Sequence, residues 1–456
     1  MDRMGSGLAP MGKGRDQAHL VGLDGSSMSG LAQMLVQGGY LVTGSIPTAG
    51  PAAERLRDLG VRVHAGHAPR VLPRSARLLV YGSEVAREHP DRLTATRTGV
   101  VQASWPEILG GLIRRGIGVA ATGGRRAGVT AAMVGWALTH AGLDPTVVLG
   151  AGSPQLGGSG RFGRGKHVVI DAGSDVIEAG LTGPDVALLV GDDGPSARLS
   201  EIHRWIDAAP PGGYVLGLAG AGDATEVVES EGVLVERFSL EPGHAWWGAD
   251  LREERGRYRF RAFYRGRFAV EVRLQVPGRH HVLGALAAVA ACGRVDLTAR
   301  AIKEALEEFD GVSRGFESRG SYRGVTLVDD EAIGTRAVAE ALEVAREVFG
   351  RRRICAVFRP DPRSTQVGPA AAEFTEADLV LIIDEEGLSG GRQAEDLALA
   401  VATGGKGSLR AADLDGAIRE LDRYLEPGDV LVTLGAGDVG TIADAFLRRL
   451  SRDRHD

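Results

Sequence analysis

The stretch GIGVAATGGRRAGVTAAM, residues Gly116 to Met133, combines a short apolar run, a glycine pair and a helical pattern. Ile117 to Ala121 is apolar enough to be a buried strand, and Gly123 and Gly124 follow it as a turn. From about Val129 to Ala141 the apolar residues return at helical spacing. A strand, a glycine turn and a helix in this order are the layout of a phosphate-binding loop, which predicts an α/β fold.

The loop departs from a working phosphate-binding loop in its side chains. In such a loop a lysine reaches the β- and γ-phosphates, and the Ser or Thr after it holds magnesium. Here Arg125 and Arg126 stand at these two places, and Ala127 follows. An arginine is a poor substitute for the point charge of a lysine because its guanidinium is planar and delocalised. The candidate nucleotide-contacting residues of this degenerate loop are Gly123, Gly124, Arg125 and Thr130.

Two arginines at a helix N-terminus need a negative partner because the helix end already carries a partial positive charge. The partner is either a bound phosphate-like group or an internal aspartate. Asp171, Asp175 and Asp192 follow apolar runs that predict strands. We expect one of them to pair with Arg125 or Arg126.

Composition limits the class of protein. With 456 residues the chain is long enough for two to four domains, and the net charge of −6 argues against a nucleic-acid coat. Cys292 and Cys355 are too few and too far apart for a disulfide framework or a cysteine metal site. There is neither an apolar run of membrane-spanning length nor a signal-peptide pattern. We therefore expect a cytoplasmic protein without a membrane span.

A second glycine turn lies near the start of the chain, after a lead-in at residues 1–18 that is predicted to be flexible. The run HLVGLDGSSMSG from His19 to Gly30 predicts a strand, a turn and a helix, as in the first βα unit of a Rossmann-like domain. Alternating strands and helices follow. The turn predicts a site where backbone N–H groups can approach a diphosphate.

A third glycine turn, GAGDVG at residues 435–440, follows a predicted strand and opens a helix. Three such turns in three α/β blocks predict a ligand-handling protein with three domains. Their predicted bounds are 19–115, 116–312 and 313–456.

The chain resembles the Mur ligases, and among them the branch that joins L-alanine to UDP-N-acetylmuramate. The resemblance runs from His19 to Leu450 and rests on six segments in the family's order. They are HLVGLDGSSMSGLA from His19, AGLDPT from Ala141, PGRHHVLGALAA from Pro277, FDGVSRGFE from Phe309, LVDD from Leu327 and GAGDVG from Gly435.

The resemblance implies a three-domain fold in which Rossmann-like N- and C-terminal domains flank a central P-loop-type ATPase-like domain. It implies a UDP-sugar site in the first domain, ATP in the second and an amino acid in the third. The implied reaction forms an acyl phosphate from ATP with magnesium, which an amine then attacks. The residues that match substrate-contacting motifs are Gly22, Gly25, Ser26, Met28, Ser29, Gly30, Arg279, His280 and Arg314.

The same comparison shows departures at each chemical motif. The family's loop G-T-x-G-K-T-T-T-T is ATGGRRAGV from Ala121, and its E-A-D-E-S-D is IDAGSD from Ile170. The asparagines of G-R-H-N-x-x-N are His281 and Gly284, and D-D-Y-x-H-H-P begins Asp329-Asp-Glu. Each departure removes a ligand, a charge or a base contact. No catalytic residue is assigned, and Arg125, Arg126 and Asp175 are the only candidates.

Three functions are compatible with these residues. The departures favour a non-catalytic paralogue that binds UDP-N-acetylmuramate or a related UDP-sugar, or another cell-wall enzyme, and has no assigned cofactor. The alternative is an active ligase with a remodelled nucleotide site, which would need ATP and Mg²⁺. The third is a nucleotide-sugar-binding scaffold unrelated to peptidoglycan.

Overall fold

The computed structural model describes residues 16–23, 25–46, 51–66, 72–172, 183–191, 209–219, 232–360, 371–384, 391–435 and 437–452. Contacts between Cα atoms divide the chain into two compact units. Unit 1 contains residues 1–251, 259–275 and 281–312, and unit 2 contains residues 252–258, 276–280 and 313–456. The predicted boundary at residues 115 and 116 falls inside unit 1, and the three predicted domain ranges stay a prediction.

A parallel five-stranded sheet opens unit 1, in the order β3-β2-β1-β4-β5. Its strands are β1 (Gln17–Val21), β2 (Leu41–Ile46), β3 (Arg62–Ala65), β4 (Ala76–Tyr81) and β5 (Val101–Ser104). Its helices are α1 (Ser26–Gln37), α2 (Pro51–Asp58), α3 (Pro90–Thr98) and α4 (Trp105–Ile113). Because β1 begins at Gln17, the last two residues of the predicted flexible lead-in belong to a buried strand.

The second sheet has ten strands in the order β15-β14-β13-β12-β11-β10-β6-β9-β7-β8. They are β6 (Ile117–Thr122), β7 (Thr146–Ser153), β8 (Gly158–Arg161), β9 (His167–Asp171), β10 (Val186–Leu189), β11 (Tyr214–Leu218), β12 (Leu234–Ser239), β13 (Trp246–Glu254), β14 (Arg257–Tyr264) and β15 (Arg267–Pro277). Its helices are α5 (Arg125–His140), α6 (His280–Arg294) and α7 (Ala299–Glu307). Helix α5 therefore begins at Arg125, four residues before the predicted start.

A third sheet lies in unit 2 and has six strands in the order β16-β17-β21-β18-β19-β20, with only β16 antiparallel to its neighbour. The strands are β16 (Glu317–Tyr322), β17 (Val325–Asp330), β18 (Ile354–Arg359), β19 (Leu379–Ile383), β20 (Gly407–Ala411) and β21 (Val430–Gly435). The helices are α8 (Thr335–Phe349), α9 (Gly391–Thr403), α10 (Leu414–Tyr424) and α11 (Thr441–Arg452).

One hydrophobic core joins the first two sheets. It contains buried side chains of the first sheet, such as Leu20 and Val80, together with Val148 and Ile170 of the second. The helix α1 packs at backbone distance against the β7–β8 hairpin, because a methyl group added at Gly30 would lie 2.8 Å from the carbonyl oxygen of Leu149. A side chain at this position would push the two elements apart, so Gly30 is required for packing within unit 1.

No helix in the described part of the chain combines the length and the apolar character needed to cross a membrane. The cytoplasmic location remains a prediction.

Candidate active site

The nucleotide loop lies at the carboxyl edge of the second sheet. The central strand β6 pairs in parallel with β9 on one side and with β10 on the other. The register places Asp171, at the end of β9, opposite Ala121, and Leu189, at the end of β10, opposite Thr122. Ligands of open α/β sheets bind outside this edge, so the predicted loop stands at the expected crevice.

The loop has the backbone of a phosphate-binding turn. Gly123 has φ +121° and Gly124 has φ +63° with ψ −146°, a region that only glycine adopts without strain. A side chain on Gly123 would also overlap the backbone of Gly191. Helix α5 begins at the next residue, and its N-cap residue, Gly124, has no side chain to cap it. The backbone thus retains a helix end that can receive an anion.

Arg126 bridges the loop and the neighbouring strand. Its Nη1 donates a hydrogen bond to the carbonyl oxygen of Val190, 2.9 Å away, directly after β10. The guanidinium is half-buried, whereas Arg125 is exposed. The position that follows the lysine place of a working loop therefore carries a side-chain cation fixed by the fold.

Thr130 lies inside α5 rather than at the mouth of the loop. It is fully buried, and its Oγ1 donates to the carbonyl oxygen of Arg126 at 2.7 Å. The small residue Gly284 of α6 lies beside it, since a methyl group there would be 2.9 Å from Thr130 Oγ1. The hydroxyl is engaged within the helix, which explains this residue without a ligand.

Asp171 faces the first turns of α5. A methyl group added at Gly128 would lie 3.0 Å from Asp171 Oδ2, and the same oxygen accepts a hydrogen bond from the backbone nitrogen of Gly150 at 3.1 Å. Burial raises the pKa of this carboxyl from 3.8 to about 6, and the bond from Gly150 only partly opposes the rise. Asp171 is therefore not the expected ion-pair partner of Arg125 or Arg126. The other two predicted partners, Asp175 and Asp192, lie outside the described residues.

The glycine turn before α1 has a carboxylate over it. Gly22 has φ +86°, and a methyl group there would lie 2.5 Å from Glu84 Oε1, in the segment that follows β4. A methyl group added at Gly82 would overlap the same carboxylate. Sequence reasoning missed Glu84 because only the pairing of β1 with β4 brings it to this turn.

The other predicted residues of this turn have different surroundings. Gly25 is the exposed N-cap residue of α1, and it has no side chain that could make a capping hydrogen bond. Met28 is buried in the core and Ser29 is half-buried. Ser26 begins α1, but its side chain lies outside the description. Gly30 serves the packing described above, so the assignment of Met28 and Gly30 to a sugar site stays a prediction.

In unit 2, the Arg314 guanidinium is held by four internal acceptors, one of them Glu331 Oε1 at 3.4 Å from Nη1. Its Nε donates to Asp329 Oδ2 at 3.0 Å, and its Nη2 and Nη1 donate to the carbonyl oxygens of Gly435 and Gly437 at 2.7 and 3.1 Å. The residue adopts φ +57°. Arg314 therefore fixes the third glycine turn to the end of β17. Arg279 and His280, also in unit 2, are exposed and half-buried respectively at the start of α6.

Comparison with known proteins identifies the family. Residues 17–116 match the model described as Mur ligase family, catalytic domain, and residues 315–437 match that of the Mur ligase, glutamate ligase domain. The UDP-N-acetylmuramate–L-alanine ligase of Sulfurihydrogenibium sp. is 32% identical over 95% of this chain and 97% of its own. The chain belongs to the Mur ligase family. The enzyme of the same name from Salinibacter ruber is 31% identical over 96% of this chain and 95% of its own.

Solved structures show the three-domain Mur ligase fold. The UDP-N-acetylmuramate-alanine ligase of Thermotoga maritima superimposes with a TM-score of 0.81, at 22% identity, over 96% of this chain and 99% of that one. A murein peptide ligase of Psychrobacter arcticus gives a TM-score of 0.74 at 20% identity, over 95% and 98% of the two chains. The predicted fold class is confirmed.

The raised pKa of Asp171 predicts a pH-dependent effect of Asp171→Asn. A carboxyl whose pKa is higher in the folded state stabilises the fold below pH 4 and loses that contribution as the pH rises through about 6. Asparagine keeps an acceptor for Gly150 without a charge. We expect the variant to unfold at a higher urea concentration than the wild type at pH 8 and to lose most of this advantage by pH 4.5. A difference that does not change with pH would contradict the assignment.

The carboxylate over Gly22 predicts that Glu84→Gln strengthens diphosphate binding. A negative group at the turn repels a second anion, so its neutralisation should raise the affinity for UDP several-fold. Glu88→Gln is the matched control, because Glu88 is exposed in the same segment. Isothermal titration with UDP measures both. Equal affinities in the two variants would place the diphosphate elsewhere.

Proposed function

We propose that this chain is an ATP-dependent ligase that joins the carboxyl group of UDP-N-acetylmuramate, or a related acid, to an amino acid in peptidoglycan precursor synthesis. The observation that carries the proposal is the end-to-end similarity to UDP-N-acetylmuramate–L-alanine ligases, at 32% identity over 95% of the chain. This similarity favours the ligase hypothesis over the non-catalytic one that the altered motifs suggested.

The retained backbone of the loop supports the same proposal. Gly124 adopts a glycine-only conformation directly before α5, where a phosphate-binding loop presents its N–H groups. Backbone N–H groups at the start of α5 would hold phosphate oxygens, and Arg125 would stand where the family has its lysine. The fixed guanidinium of Arg126 would lie at the edge of the same crevice.

A binding-only paralogue is the second candidate, and one observation favours it. Arg126 stands at the position of the magnesium-holding hydroxyl that the family implies, and burial raises the pKa of the Asp171 carboxyl to about 6. A group that stabilises charge in the transition state is worth on the order of 10²–10³ in rate when removed. Several such losses would leave only binding.

Product formation tests the proposal. The purified chain is incubated with ATP, UDP-N-acetylmuramate and L-alanine, with and without magnesium, and the amide product and ADP are measured by mass spectrometry. We expect ADP release that requires both other substrates. Gly124→Ala should reduce this rate by about 100-fold, since alanine cannot hold the backbone that presents the loop N–H groups. Gly111→Ala is the control, because a methyl group there meets nothing within 4 Å.

Binding of UDP-N-acetylmuramate without any amide product or ADP release would contradict the ligase and favour the binding-only paralogue. Other amino acids are tested in parallel to identify the incoming amine.

A further inference from the structure

One side of helix α1 lies directly against the β7–β8 hairpin within unit 1. Gly30, Gln33 and Gln37 follow one another at intervals of three and four residues, which places them on the same side of the helix. A methyl group added at Gly30 would lie 2.9 Å from the carbonyl oxygen of Ser159, and one added at Gly160 would overlap the carbonyl oxygen of Gly30. The backbones of α1 and β8 are therefore in contact at this point.

Gln33 holds this contact together with three hydrogen bonds. Its Oε1 accepts from the backbone nitrogens of Ser159 and Gly160, both at 3.0 Å, and its Nε2 donates to the carbonyl oxygen of Gly157 at 2.7 Å. The residue is buried, with 4% of its surface exposed. Strand β8 lies at the edge of the described sheet, so the amide of Gln33 provides the partners that a further strand would provide. An apolar residue in its place would leave these three backbone groups unpaired.

The contact lies on the path between the first glycine turn and the nucleotide loop. The turn of Gly22 and Gly25 opens α1, whereas β7 pairs with β9, and β9 pairs with β6, the strand that ends at the loop. Directly beside the contact, the backbone nitrogen of Gly150 donates to Asp171, whose carboxylate lies against Gly128 of α5. The position of the first turn relative to the loop thus depends on how α1 sits on the hairpin.

We propose that Gln33 is a positioning residue for the ligase reaction, because it fixes the placement of the UDP-sugar turn relative to the nucleotide loop. The inference rests on the proposed function, in which a carboxylate oxygen of the acid forms a bond to the γ-phosphorus of ATP while the bond to the bridging oxygen of ADP breaks. Such a transfer needs the reacting atoms about 3–3.5 Å apart, and a misplacement of about 1 Å costs on the order of 100-fold in rate. Gln33 acts through α1 and β8 and not on the reacting atoms.

Gln33→Leu tests the inference, because leucine fills the site but makes none of the three hydrogen bonds. We expect kcat for the amide product to fall by about tenfold or more at saturating substrates, since the two sites lose their relative placement. The affinity for UDP, measured by isothermal titration, should change by less than about threefold, because the turn before α1 keeps its own backbone. A residue with only a structural role would lower the melting temperature without this division between kcat and binding.

Gln155→Leu is the matched control. Gln155 lies between β7 and β8 and also bonds two backbone groups, the carbonyl oxygen of Glu308 at 2.6 Å and the nitrogen of Asp310 at 2.7 Å. Both bonds lead to the end of α7 and not to α1, so this variant should lose thermal stability while its kcat is unchanged. Gln33→Glu keeps an oxygen for the nitrogens of Ser159 and Gly160 and loses only the donor to Gly157. Its kcat should lie between those of the wild type and Gln33→Leu.

Equal kcat values for Gln33→Leu and the wild type would overturn the inference and leave the ligase proposal standing. The same holds for a fall in kcat that Gln155→Leu shares, or for a fall that UDP affinity follows by the same factor. If Gln33→Leu does not fold, Gln33→Glu decides, and a kcat equal to that of the wild type overturns the inference. A wild type that binds UDP-N-acetylmuramate but forms no product would contradict the ligase proposal, and the inference with it.

Discussion

The hydrogen bond from Arg126 to the carbonyl oxygen of Val190 connects the nucleotide loop to the strand beside it. The two parts of the crevice, the turn after β6 and the end of β10, are held together by this side chain and by the close contact of Gly123 with Gly191. The side chain that makes this link stays charged at any ordinary pH.

Family membership and site chemistry therefore depend on different residues. The fold is maintained by packing, as where Gly30 lets α1 approach the backbone of Leu149 and where Leu20 and Ile170 share one core. None of these contacts involves the loop side chains. Surface and crevice positions contribute little to the hydrophobic core. A residue such as Arg126 can therefore replace the family's hydroxyl residue at the crevice while the three sheets stay intact.

Much of the fold could be predicted from the sequence, because apolar runs and glycine turns report strands and their ends. The strand before the loop was predicted within one residue, but α5 begins at Arg125 rather than Val129. The sequence pattern missed the first turn of α5 because Gly128 interrupts the apolar spacing. The carboxylate of Glu84 over Gly22 could not be foreseen, since it depends on the order in which β1 and β4 pair. The pKa of Asp171 likewise depends on what buries it.

The central claim is that the altered loop still presents its backbone N–H groups to a nucleotide. A crystal structure with a non-hydrolysable ATP analogue tests it most directly. The account predicts phosphate oxygens within hydrogen-bonding distance of the backbone nitrogens at the start of α5. A crevice without nucleotide in crystals grown at a saturating concentration of the analogue, or a nucleotide bound elsewhere, would contradict it.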